Sequence, residues 1–164
     1  MAIIVETGTG SATAESYVSV AEARAYAGLY GYTLPVADAD VEMLLRKAMR
    51  YIEPKSFQGY KISRSQALQW PRSGVVVDGY GLDPSVIPVL LKSAQIEAAV
   101  IAQTTPLLAN NTSGVSIKRQ KVDVIETEWM DGSLAAQPVL TTVDTLLEKL
   151  LVGGMGVGIR VGRA

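Results

Sequence analysis

Between residues 55 and 83 the chain carries Gly59, Pro71, Gly74, Gly79 and Gly81, a spacing that forbids any long regular element there. Proline lacks the amide donor a helix interior needs, and glycine loses the most backbone freedom when fixed. On both sides of this break, apolar residues recur at helical spacing. The chain must therefore fold as helices joined through an irregular centre, whose most distinctive run is "ALQWPRSGVVVDG" (67–79).

Ahead of the break, "SVAEARAYAGLYG" (19–31) opens with Ser19 and Glu22, a capping box, and Gly31 ends that helix in a left-handed conformation. Asp38 suits the N-cap of a second helix, in which Val41, Leu44, Leu45, Ala48, Tyr51 and Ile52 form the apolar stripe and Pro54 is the stop. Arg46, Lys47 and Arg50 fall mostly off that stripe. After the break, Asp83 and Pro84 resemble an N-cap and first-turn pair, but Pro88 sets the start of the regular helix. That helix runs to about Gln103 with Leu91, Ala94, Ile96, Ala98 and Ile101 on one stripe, and its alanines permit the close packing of a central helix. Thr141 or Thr142 caps a last helix carrying Val143, Leu146, Leu147, Leu150 and Leu151.

Elsewhere the period changes. In "GVSIKRQKVDVIETEW" (114–129), Val115 and Ile117 alternate on one face and Val122 and Val124 on the other, which calls for two strands or one bent strand. Residues 1–15 are an extended segment and a small-residue linker. The expected fold is mainly α: a small bundle of about four helices with an extended β-arm or hairpin. It forms a single domain over 1–152, followed by a flexible glycine-rich tail over 153–164.

At 164 residues, 48% hydrophobic and 19% charged, the chain has the profile of one ordinary globular domain. It contains no Cys and no His. That removes disulfides, thiolate nucleophiles, zinc–sulfur sites and the usual general base. Asp38 with Asp40 and Glu126 with Glu128 are carboxylate pairs, but a helix start wants the first and a solvated strand tolerates the second. No nucleophile, base and orienter can be assembled, so no catalytic residue, metal or cofactor is expected. A carboxylate-based hydrolase is the enzymatic alternative, and it would reveal itself by metal-dependent activity.

Glycine-rich stretches do not read as phosphate cradles. "GTGSAT" (8–13) lacks the P-loop lysine, and "GGMGVGIRVG" follows a helix instead of opening one, so both are expected to be flexible segments. The N-terminus lacks the basic and apolar regions of a secretory signal. Lys92 and Glu97 interrupt the apolar window Val86–Ala102, and the sequons at Asn110 and Asn111 match by composition only. An intracellular product is expected.

Formal net charge is −1, but it is sorted into patches. Residues 46–72 hold seven basic residues and one acid, Glu53. "KRQK" (118–121) precedes Asp123, Glu126, Glu128 and Asp131. The basic window also holds Tyr51, Phe57, Tyr60 and Trp70, and aromatics among cations can stack bases while the cations follow phosphates. On that reading Arg46, Lys47, Arg50, Lys61 and Arg64 face DNA. Against it, Tyr51 lies on a core stripe, Trp70 packs inside, and the whole chain is near neutral.

Trp70-Pro71-Arg72 is better explained as a structural latch. Proline biases the residue before it toward an extended backbone, so the indole is aimed in a fixed direction. Arg72, planar and always charged, then braces a carboxylate or loop carbonyls.

In order, "ESYVSVAEARAY", "LLRKAMRYIEP", "ALQWPRSGVVVDG", "IPVLLKSAQIEAA" and "IKRQKVDVIE" resemble a group of tailed-phage proteins labelled DnaT-like single-stranded-DNA-binding, which is similar to head–tail connector or adaptor proteins. The resemblance covers roughly residues 15–150, and Leu68–Arg72 followed by Asp78-Gly79 is its most specific element. After Lys121-Val122 the group has a Gly-Pro-like turn where this chain has Asp123-Val124. The resemblance implies no catalysis and a homo-oligomeric ring, a dodecamer on the virion. The ring would sit beneath the portal protein, receive the stopper or tail-completion protein, and extend the channel for the double-stranded genome. It places the chain in the virion neck, and in host cytoplasm during assembly. Lys118, Arg119, Lys121, Glu126 and Glu128 would then form an inter-subunit arm, and Ile159, Arg160 and Arg163 a portal-docking tail. The alternative is a DnaT-like single-stranded-DNA-binding module.

Overall fold

The protein's computed structural model describes residues 2–108, 120–122, 125–127 and 140–153. Among them are four α-helices: α1 (Val20–Tyr30), α2 (Asp38–Ile52), α3 (Val89–Ile101) and α4 (Thr141–Leu147), the last continuing as a 3-10 turn over Glu148–Leu150. Helix α3 packs against the other three. It is the central helix, and the fold is mainly helical. Leu91, Ala94, Ile96, Ala98 and Ala99 of α3 meet Val41, Leu44, Leu45, Ala48, Met49 and Ile52 of α2 and Val143 and Leu147 of α4 in one buried cluster. Full burial of each large aliphatic chain contributes about 1.5–3 kcal/mol.

Local chemistry explains the helix ends. The Ser19 hydroxyl accepts from the Glu22 amide and the Glu22 carboxylate accepts from Ser19 N–H, while Gly31 closes α1 in the left-handed region. Two expected caps are absent. Asp38 is the first helical residue, preceded by Ala37, and its carboxylate takes Nη2 of Arg24 at 2.7 Å. An ion pair at the first turn replaces the cap and still complements the helix dipole. Thr141 and Thr142 lie inside α4, behind Leu140, with no side-chain cap. Leu140 is buried, and its burial rather than a hydroxyl fixes the entry of the chain. Pro88 precedes α3, as expected, and Asp83 instead closes a turn by accepting from Ser85 N–H at 2.8 Å.

The irregular centre contains two small antiparallel pairs, β1 (Tyr60–Lys61) with β2 (Arg72–Ser73) and β3 (Val76–Val77) with β4 (Tyr80–Gly81). Asp78 and Gly79 join the second pair with φ of 52° and 86°. Both positive values suit a two-residue turn, the reason Asp-Gly stands there. Two further strands, β5 (Gln120–Val122) and β6 (Ile125–Thr127), pair antiparallel with Lys121 opposite Glu126. The described part of 114–129 thus holds two strands, with Val122 at the end of β5; Val115, Ile117 and Val124, on which the expected change of face rests, lie outside the described residues.

The glycine-rich "GTGSAT" segment is not a loose linker. Glu6 is buried, and its Oε1 accepts from the amides of Gly8 (2.9 Å), Thr9 (2.8 Å) and Gly10 (3.0 Å), while Oε2 accepts from Ser11 N–H (2.7 Å). Successive amides turned inward make an anion cradle, and the chain fills it with its own carboxylate. Gly8 has φ +103°, and a Cβ there would lie 1.7 Å from the Ser85 carbonyl oxygen. Only glycine fits.

Candidate nucleic-acid interface

Trp70 is fully buried, with its ring edge-on to Phe57 at a centroid distance of 6.2 Å. Its amide donates to the Tyr17 hydroxyl at 3.1 Å, that hydroxyl donates to Glu53 Oε1, and Glu53 Oε2 accepts from Gln69 N–H at 2.8 Å. The run before Pro71 is thereby tied to the end of α2. Burial pushes the Glu53 carboxyl above its usual pKa against the opposing hydrogen bonds, and burial beside the Glu53 charge pushes the Tyr17 hydroxyl well up. The indole Nε1 has no hydrogen-bond partner. Packing alone holds the ring.

Arg72, also buried, donates from Nε to Gln58 O (2.6 Å) and from Nη2 to Gly59 O (2.6 Å) and Phe57 O (3.3 Å). Its Nη1 donates to Gln69 Oε1 at 2.8 Å. One fork thus spans three consecutive carbonyls, a match that only a guanidinium's geometry allows. The clamped stretch continues into the helical core: Gln58 N–H donates to Leu150 O, and Val152 N–H to Ser56 O, both at 2.9 Å.

These aromatics are unavailable to a ligand. Of the four in the basic window, Tyr51, Phe57 and Trp70 are in the core and Tyr60 alone is exposed. The Tyr51 hydroxyl is itself engaged, donating to the Asp144 carboxylate at 3.0 Å.

The basic residues separate. Arg46 is held by Glu15 at 2.9 Å and Glu42 at 3.5 Å, and the Arg46 hydrogen bond lowers the Glu15 pKa. Lys61 sits half-buried on β1, near enough to Glu53 to stabilise its charge, and Arg64 is exposed on the loop after it. Lys47 and Arg50 come together. Exposed and one helical turn apart on α2, they line an open cavity of about 460 Å³ whose other wall is Ala102–Leu108. Among the described residues none of Lys47, Arg50, Lys61 or Arg64 has an ion-pair partner. Thr104 and Thr105 add polar groups to the cavity, and Leu107 and Leu108 an apolar floor. Two cations over a mixed polar and apolar wall suit a phosphodiester with its sugar.

Gln103 belongs to this cavity and also donates to Thr33 O at 3.0 Å, which ties it to the segment after α1. Beside that segment, at the end of α1, Tyr26 and Tyr30 stack at 4.3 Å with planes 25° apart, and Tyr32 follows at 6.4 Å from Tyr30 and 15°. Sequence reasoning missed this cluster, because the capping box and Gly31 mark the ends of α1 and nothing marks Tyr26, Tyr30 and Tyr32 as neighbours. It also missed Gln95 and Glu97, two buried polar residues on α3. Gln95 accepts from Tyr17 N–H (2.9 Å) and donates to the Ser16 hydroxyl (2.8 Å), and Glu97 accepts from the Tyr26 hydroxyl (3.0 Å).

Of the arm residues, Lys121 and Glu126 occupy opposed positions on β5 and β6. Lys118, Arg119 and Glu128 lie outside the described residues, as do Ile159, Arg160 and Arg163 of the tail. Among the described residues no group of Asp and Glu is placed to hold a metal ion, and no helix is long and apolar enough to cross a membrane.

No curated protein and no solved structure matches the chain. A family model does, over residues 1–164, the whole sequence. The chain therefore belongs to the family described as "Putative DnaT-like ssDNA binding protein".

Proposed function

We propose that this protein binds the sugar–phosphate backbone of single-stranded DNA, with Lys47 and Arg50 as the phosphate contacts and the wall at Ala102–Leu108 receiving the sugar. The observation that carries this reading is the pair of cations on one open cavity. Family membership supports the same ligand. A near-neutral chain offers no broad electrostatic field, so the contact is short and its salt dependence shallow. For single strands the slope of log K against log salt is about −0.7 per phosphate neutralised, so two contacts give roughly −1.4. Fluorescence anisotropy with a labelled oligo(dT), titrated between about 50 and 200 mM salt, should show an affinity loss of about sevenfold. Lys47→Ala should halve the slope. Absent binding at low salt, or binding indifferent to a Lys47→Ala/Arg50→Ala double change, ends this reading.

A second reading, the head–tail adaptor ring in the virion neck, draws support from exposed apolar side chains. Tyr60, Ile62, Val76 and Tyr80 all stand exposed on the irregular centre, and protein contacts cover apolar side chains of this kind. On this reading the partners are further copies of the chain, the portal protein and the stopper. Mass photometry of the protein mixed with its portal distinguishes the two, since a ring that ignores oligo(dT) would favour the adaptor.

A further inference from the structure

We propose that Tyr30, flanked by Tyr26 and Tyr32, is a base-stacking platform that receives single-stranded nucleic acid leaving the Lys47–Arg50 cavity. The proposal rests on the single-strand reading above and extends it from phosphates to bases. Tyr30 is 61% exposed although it stacks on Tyr26, so much of the residue stays open to solvent. The three planes differ by only 25° and 15° along the row. Two of the rings are held from beneath. The buried Glu97 carboxylate accepts from the Tyr26 hydroxyl, and its hydrogen bond and charge push the Tyr32 pKa up as well. Stacking on Tyr26 orders Tyr30 in turn, and a ring already ordered loses little side-chain entropy when a base lies on it.

Two features favour nucleic acid over a second copy of the chain. The exposed carboxylates of Glu22 and Asp38 are paired with cations, Lys92 and Arg24, and Glu97 is buried on α3. The platform is also joined to the cationic cavity, because Gln103 lines that cavity and bonds the Thr33 carbonyl next to Tyr32. A strand with phosphates at Lys47 and Arg50 would continue toward the rings.

The test compares oligo(dT) with an abasic oligonucleotide of equal length, by anisotropy at low salt. Wild type should prefer oligo(dT) by about tenfold, the scale of one base on an aromatic. Tyr30→Leu should erase that preference while keeping the abasic affinity, and Tyr30→Phe should keep both, since stacking needs the ring and not the hydroxyl. Equal affinity of wild type for the two oligonucleotides, with dependence on Lys47 and Arg50 retained, overturns the platform and leaves the phosphate contact standing. Failure of wild type to bind either one overturns both. A change from oligomer to monomer in Tyr30→Leu by sedimentation velocity, without loss of base preference, assigns the patch to contacts between copies and also overturns the proposal. Tyr30 is exposed, so the variants should melt as wild type does by circular dichroism.

Discussion

Replacing Arg72 by alanine removes the fork that holds the carbonyls of Phe57, Gln58 and Gly59 together with the Gln69 side chain. Two of those bonds are 2.6 Å long, and hydrogen bonds to a charged group contribute about 1.5–3 kcal/mol each. The full sum overstates the loss, because Gly59 is exposed and Gln58 half-buried, so water can reach their carbonyls once the side chain is gone. Phe57 is buried, and its carbonyl has no such substitute. Discounting accordingly gives a loss of about 2–4 kcal/mol, a large share of the ~5–15 kcal/mol that stabilises a typical domain. At roughly 2–4 °C per kcal/mol for this chain length, the midpoint should fall by about 5–15 °C. Arg72→Lys keeps the charge and loses the fork, so it should fall between the two. Urea denaturation followed by circular dichroism measures the loss. Hydrogen exchange locates it, since the amides of Gln58 and Val152, which bond Leu150 O and Ser56 O, should lose protection first. An Arg72→Ala protein within about 0.5 kcal/mol of wild type, with those amides still protected, would refute the clamp.

Other substitutions test neighbouring claims. Trp70→Ala should cost about 3–5 kcal/mol in the same assay, and a near-wild-type midpoint would mean that the indole does not anchor the core. Glu6→Gln should cost about 1–3 kcal/mol although it is isosteric, because no orientation of an amide lets both of its heavy atoms accept from the cradle's N–H groups; an unchanged midpoint would show the cradle to be incidental. Glu53 has a folded pKa raised by burial, so the stability it contributes is full below the ordinary Glu value of about 4.3 and is lost as pH rises through the folded value. The stability difference between wild type and Glu53→Gln should therefore shift against wild type across that window. A difference flat with pH would show that the carboxyl is not desolvated.

Helices were legible wherever the code is local. Ser19 and Glu22 sit three apart and satisfy each other's backbone whatever lies around them, and the repeat from Val41 to Ile52 marks a buried face because 3.6 residues make one turn. The breaks at Pro54 and Pro88 and the interrupted centre were equally visible, since proline and glycine act through their own backbone. Asp38 misled because a carboxylate at a helix start serves a cap or an ion pair equally well, and the choice depends on Arg24, fourteen residues away.

What the sequence by itself determined is the set of helices, the irregular segment between them, and the absence of cysteine and histidine chemistry. Each follows from residue type and spacing. Only the tertiary structure decided which charges are spent and which remain. Arg46 pairs with Glu15 and Glu42 while Lys47, the next residue, lines a cavity with Arg50. Only folding could fill the glycine cradle with Glu6, pin the Trp70 amide to Tyr17, bring the Tyr26 hydroxyl to Glu97 and align Tyr26, Tyr30 and Tyr32. Those pairings join residues up to 71 positions apart, and Coulomb and hydrogen-bond energies depend on distance in space, which one-dimensional spacing does not contain.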